Sequence, residues 1–357
     1  MSRKHFSWLA ILALAAVIVA FLLPGDEAQE AEIVEQPLLP ELQEQANDIA
    51  WLQVSAAGGE IIATLVRSDA GWTVEEADGY RADWEVLKSL LSGLAAARVV
   101  EPKTSNPSYY DRLGVEDVSA PDASGVQLAF AASTGLSAVI LGNDARGREG
   151  QYARLAGAAR SVLLDRSLDL PADRSAWLDR SIIDISDSEV VEVEIRHADG
   201  EIVVARKSSA DDEDFVLEGV AEGFEPKSAW TVNSLAGSLS SLDLDDTSRA
   251  DQLNWGGASS FRLLSADGLN VEVDLLAVPV EGEGEADEAR WIRLQAGLFT
   301  TALDSGVEGD GDNAETAARA DEINNRVAGW AYRIPDYKFN AMNKRIADLV
   351  QAVEPEE

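Results

Sequence analysis

The chain has 357 residues, of which 46% are apolar and 26% charged, so most of it has the composition to bury a core. Against 29 Lys and Arg stand 64 Asp and Glu, a formal charge of -35, which argues against nucleic acid as a partner. There is no cysteine and there are only two histidines, which removes disulfides, thiol nucleophiles and thiolate metal sites.

Arg3 and Lys4 precede an uncharged apolar run over residues 6–23 that Pro24 and Gly25 end. At 1.5 Å per residue this run is long enough to span a bilayer, and it exceeds the apolar middle of a cleaved signal peptide. Residues 1–23 are therefore expected to be a cytoplasmic tip and a retained transmembrane anchor. Basic residues before the run and Asp26, Glu27, Glu30 and Glu32 after it place the main body outside the cytoplasm, in the periplasm of a bacterial cell. Residues 24–47 hold Pro24, Pro37 and Pro40 among acidic and amide residues, and are expected to form an extended stalk.

An internal duplication organises the remainder. Gly59-Glu60-Ile61-Ile62 recurs as Gly200-Glu201-Ile202-Val203, each between β-rich segments. Trp72-Thr73-Val74 matches Phe215-Val216-Leu217, and each is followed by a helical pattern: Trp84, Leu87, Leu90, Leu91 and Leu94 in one half, Val232, Leu235, Leu239 and Leu242 in the other. Asp83 and Ser228 are placed to cap these helices. Strands are expected over 126–131, 138–141, 152–155 and 162–164, then over 260–264, 271–278 and 291–294. Tyr152-Ala153-Arg154-Leu155 aligns with Trp291-Ile292-Arg293-Leu294, and Ala176-Trp177 with Gly329-Trp330. The fold class expected is α+β, with two tandem repeats over residues 48–187 and 188–353, each a mostly antiparallel sheet with a packed helix. The second carries an acidic, Gly-rich insertion near 304–315, and 354–357 form a tail.

Catalytic constellations are missing. His5 lies before the anchor, and His197 is expected at an exposed strand edge rather than beside a serine. There is no Gly-x-Ser-x-Gly elbow and no phosphate-binding Gly-Lys-Ser/Thr ending around Gly142, Gly147 and Gly150. Asp310-Gly311-Asp312 opens like a calcium loop, but Ala314 and Glu315 stand where a ligand and the turn glycine belong. This stretch, Glu281 to Glu288 and Asp211 to Asp214 read as turns kept soluble by charge. No cofactor and no metal are expected. The densest aromatic stretch runs from Trp330 to Phe339. Its Trp330, Tyr332, Arg333, Tyr337 and Lys338 are of the types that dominate binding hot spots, although the segment also suits a core strand.

With the anchor, Gly71-Trp72-Thr73-Val74, the turn from Tyr109-Tyr110 to Leu113-Gly114 and the Trp330-to-Lys338 ending, the chain resembles the bacterial domain-of-unknown-function family 4340. The resemblance implies an envelope location and genes beside ABC-type transport components and gliding-type auxiliary proteins. It carries no catalytic residues. The expected function is that of a non-enzymatic accessory or scaffold of an envelope complex such as an ABC-type transport system, held in the inner membrane by residues 6–23. Two alternatives belong to other classes: an Asp/Glu-dependent glycan hydrolase, which needs two carboxylates about 5–10 Å apart with one buried, and a ligand-binding module with an apolar pocket.

Overall fold

The computed structural model describes residues 36–210, 212–280, 288–299 and 312–353. The expected anchor at 6–23, the first part of the stalk, Asp211, the segments 281–287 and 300–311 and the tail 354–357 lie outside the described residues. Among the described residues no helix is long and apolar enough to cross a membrane.

The chain folds as mostly antiparallel sheets with a few helices. In chain order the elements begin with β1 (Gln36–Pro37), α1 (Leu42–Gln45), β2 (Trp51–Ser55), β3 (Ile61–Ser68), β4 (Gly71–Val74) and β5 (Tyr80–Arg81). There follow α2 (Trp84–Ala96), β6 (Arg98–Pro102), β7 (Val126–Phe130), β8 (Val139–Asp144), β9 (Gln151–Leu155) and β10 (Ser161–Leu164). Next come β11 (Ser181–Ile183), β12 (Val190–Arg196), β13 (Ile202–Arg206), β14 (Val216–Leu217), β15 (Phe224–Pro226), α3 (Ala229–Asn233), β16 (Leu242–Asp243) and β17 (Asp246–Arg249). The last are β18 (Ser259–Ser265), β19 (Leu269–Pro279), β20 (Glu288–Leu298), α4 (Asp312–Val327), β21 (Trp330–Arg333), α5 (Asp336–Met342), α6 (Ile346–Leu349) and β22 (Val350–Ala352).

Two compact units divide the chain. One takes the described residues up to Ile62 together with Lys88–Leu170; the other takes Ala63–Leu87 and the described residues from Pro171 onward. In this division β4 and β5 count with the second unit.

Within the first unit the strands stand in the order β1-β6-β10-β9-β8-β7-β2. Leu38, Leu39, Leu42 and Ile49 are buried here, so residues 36–47, expected in the stalk, are part of a folded core. Prolines at 37 and 40 hide this in the sequence by breaking the periodicity, yet burying a leucine side chain contributes about 1.5–3 kcal/mol wherever it sits. Leu87, Leu90 and Leu94 line the buried face of α2, whose N-terminus Asp83 caps by accepting from the backbone N–H groups of Glu85 at 2.8 Å and Val86 at 3.1 Å.

The large sheet of the second unit runs β14-β13-β12-β18-β19-β20-β21-β17. Period-two burial builds its core: Val193 and Ile195 on β12, Phe261 and Leu263 on β18, Leu269, Val271, Val273 and Leu275 on β19, and Ile292 and Leu294 on β20. Ranked by position in the chain, β17-β21-β20-β19-β18-β12 follows the same permutation as β6-β10-β9-β8-β7-β2. The registers agree as well. Ile140↔Arg154 and Tyr152↔Leu163 in one are met by Asp274↔Arg293 and Trp291↔Arg333 in the other, so the two aligned four-residue segments occupy the same rungs.

Three expectations need correction. Trp330 lies on β21, whose counterpart is β10, whereas Trp177 lies on a 3-10 turn, Arg174–Trp177, after that strand. Both are buried, but they are not equivalent. The second helix does not reach Leu242. Ser228 caps α3 as expected, accepting from Thr231 N–H at 3.1 Å, but α3 ends at Asn233, a 3-10 turn covers Ala236–Leu239, and Leu242 is in β16. Serines follow the end of α3: Ser234 Oγ donates to the Thr231 carbonyl, Ser238 Oγ donates to the Leu235 carbonyl, and Ser241 takes a positive φ of 44°. Finally, residues 312–321 are helical. Asp312, Ala314 and Glu315, expected in a solvated turn, are the first turn of α4, and no metal-binding group of acidic or histidine side chains occurs among the described residues.

Candidate functional site

The five residues singled out near the C-terminus are separated by the fold. Alternation along β21 turns Trp330 and Tyr332 inward, and both are buried; Arg333, next in line, is exposed. Tyr80 fills the space beside them, its ring edge-on to Trp330 at 4.8 Å and to Tyr332 at 6.1 Å. The Arg249 guanidinium lies over the Trp330 ring at 3.8 Å. Burial pushes the phenols of Tyr80 and Tyr332 above the ordinary tyrosine range.

Charged groups close this aromatic cluster. Arg326 Nη2 donates to both Asp179 carboxylate oxygens at 2.8 Å, and Arg81 Nε reaches Asp179 at 3.3 Å. Arg81 also donates to the Tyr80 hydroxyl at 3.0 Å and to the Arg326 carbonyl at 2.6 Å. No sequence signal pointed to this set, because its members come from β5, the segment before β11 and the end of α4, far apart in the chain. It fastens elements of the second unit around Trp330 and Tyr332, both of which are buried.

Lys338 is half-buried and donates to the carbonyls of Ser240 and, at 3.4 Å, Gly237, satisfying the end of the 3-10 turn at 236–239. Burial lowers its pKa, against the opposing pull of Asp184 and Asp243. Tyr337 is 70% exposed. Among the described residues the Arg333 side chain has no hydrogen-bonding or ionic partner. Of the five, therefore, Arg333 and Tyr337 are displayed to solvent.

His197, expected at an exposed edge, is buried, and its Nε2 stands 3.2 Å from the Lys344 carbonyl. Two neighbouring acids, Glu192 and Glu194, are buried on β12. Arg262 Nη2 binds them at 2.6 and 2.7 Å and Arg206 Nε binds Glu192 at 2.6 Å, so they form an ion-pair network on one sheet face. A general acid needs a carboxyl whose pKa burial has raised. The described carboxylates with displaced values, Glu101, Asp165, Asp199 and Asp267, are all displaced downward.

A polar cavity of about 420 Å³ lies beside Trp330, lined by Glu272, Asp274, Arg293 and Gln295 of β19 and β20. Its charged walls are already paired, Arg293 with Asp274 at 2.7 Å and Gln295 with Glu272 at 2.9 Å. A second, more apolar groove of about 630 Å³ runs between β14 and β15.

Comparison with curated proteins and with solved structures finds no match. The model of one family does match, over residues 72–272, a span that includes β4, the cap of α2, the first unit's strands from β6 onward and the second sheet as far as β19. This is more than half of the chain, and the protein belongs to the family described as domain of unknown function (DUF4340).

Proposed function

We propose that this chain is a non-enzymatic accessory protein of a bacterial envelope complex of the ABC-type transport kind, tethered in the inner membrane by residues 6–23 with its body in the periplasm. We further infer that its body arose by tandem duplication of one sheet-and-helix module, a reading supported by the shared strand permutation. Family membership supports the envelope setting by resemblance. The observation that carries the docking role is the exposed Tyr337 following Arg333, which has no partner among the described residues, where most of the described arginines are committed to carboxylates. Aromatic and arginine side chains held on a rigid scaffold are the usual anchors of protein interfaces.

The test is co-purification from gently solubilised membranes of the wild type and of Arg333→Ala with Tyr337→Ala. The expected result is a companion recovered with the wild type and lost with the double variant, whose melting temperature stays within a few degrees. Recovery of the wild-type chain alone in every detergent would overturn the accessory role. Release by alkaline carbonate would overturn the tether.

A further inference from the structure

The two edges formed by the hairpins β3-β4 and β13-β14 are finished differently. In the first, β5 adds directly to β4, with Thr73 opposite Arg81 and Val74 opposite Tyr80. In the second, the strand that follows β14 turns away: β15 pairs instead with the C-terminal β22, Phe224 opposite Ala352 and Pro226 opposite Val350. β14 is left as the last strand of its sheet. The groove of about 630 Å³ lies where the next strand would run.

Its floor is apolar. Phe215, Leu217 and Val232 are buried beneath it, while Val216 is 56% and Phe224 48% exposed at its sides, and Trp230, at the start of α3, is 78% exposed nearby. The backbone of β14 is also unfinished. Glu218 N–H donates to the Val204 carbonyl of β13, so by antiparallel alternation the N–H and carbonyl of Leu217 point away from β13. At Phe215, two residues back on the same outward side, the Asn233 side chain accepts the backbone N–H at 2.9 Å, standing in for a neighbouring strand. Charge selects among occupants. From Ser208 to Pro226 the chain carries seven carboxylates and no lysine or arginine, and Glu222 and Glu225 line the groove itself.

We propose that the groove between β14 and β15 is a docking site for an extended segment of a protein partner in which apolar side chains alternate with lysine or arginine. The segment adds to the open edge through the Leu217 backbone, sets its apolar side chains on Phe215, Leu217 and Val232, and presents its cations to Glu222 and Glu225. The proposal deepens the accessory role and rests on taking β14 and β15 as counterparts of β4 and β5.

The probe is a labelled, terminally blocked octapeptide of alternating Lys and Val, with a Glu and Val octapeptide as control, titrated into the full chain in detergent and read by fluorescence anisotropy. Two variants accompany the wild type. Ala229→Trp fills the groove from an exposed position of α3, and Glu222→Lys with Glu225→Lys reverses the lining. The expected result is saturable micromolar binding of the Lys peptide and none of the Glu peptide. Affinity should fall at least tenfold in each variant, with melting temperatures unchanged. Absence of saturation at millimolar peptide, or equal affinity in Ala229→Trp, would overturn the proposal. So would self-association of the wild type abolished by Ala229→Trp, because the occupant would then be a second copy. A failed titration removes the docking site alone, whereas a crystal structure in which the two halves do not superimpose removes the repeat reading beneath it.

Discussion

Arg154 of the first unit and Arg293 of the second occupy the same rung of their ladders, opposite Ile140 and Asp274. Each lies over an aromatic ring from a loop, Tyr110 at 4.7 Å and Trp255 at 4.6 Å. Their settings differ sharply. The Arg154 side chain is 3% exposed and donates to the carbonyls of Val115 at 2.8 Å and Ala158 at 2.9 Å and to Asp117 at 2.6 Å. Arg293 is 43% exposed and is held by Asp274 across the ladder. Opposite Arg154 stands an isoleucine, and its guanidinium goes to two backbone carbonyls and Asp117; opposite Arg293 stands an aspartate, which holds it at the mouth of a polar cavity. The same residue type on matching rungs is thus a core bolt in one unit and a surface group in the other.

The comparison can be broken by mutation, beginning with where the first unit starts. Leu42→Ala should cost about 3–4 kcal/mol in denaturant unfolding, the value for a fully buried leucine; a cost near zero would return residues 36–47 to a stalk. Arg154→Ala should cost about 3 kcal/mol, because two carbonyls lose their buried donor, against less than about 1 kcal/mol for Arg293→Ala. Equal losses would mean that the matching rungs do not carry different loads.

Ionisation sharpens the contrast further. In the second unit, burial raises the folded-state pKa of Tyr332 above its unfolded value of 10.0, so the stabilisation it represents is complete below pH 10 and drains away as the pH rises beyond it. At pH 11 the loss should be about 1.4 kcal/mol relative to pH 9, and Tyr332→Phe should remove that share when unfolding is followed against pH. In the first unit a carboxylate carries the shift. The Arg166 ion pair and the Arg98 backbone N–H at 2.9 Å hold the Asp165 carboxyl below its ordinary 3.8 against the effect of burial. This stabilisation is present above the unfolded pKa and is lost as the pH falls through the folded one, so Asp165→Asn should flatten the acid limb by less than about 1 kcal/mol.

Strand positions were legible in the sequence wherever alternation was regular. Val271 to Val278 and the Tyr152 and Trp291 segments fell into place because one sheet face is buried and period two is then enforced. The short apolar runs failed. Leu38 and Leu39 sit between prolines and carry no period, yet they pack as core. Helix α4 went unseen because its inward residues, Thr316, Ala320, Ile323 and Val327, make a weak stripe after a glycine-rich acidic stretch. Of the five candidate contact residues, only Trp330, Tyr332 and Arg333 lie on β21, where alternation separates the two inward rings from the outward arginine; Tyr337 and Lys338 are on α5, and Lys338 finds its acceptors in a turn about a hundred residues earlier.

The pairing of β15 with β22 makes that C-terminal strand a latch. Deleting the chain from Val350 would release Phe224–Pro226, and the freed strand would be at liberty to swing onto β14 and zip the groove shut. A tag or fusion that unseats this strand would then silence docking without touching a single residue of the recess.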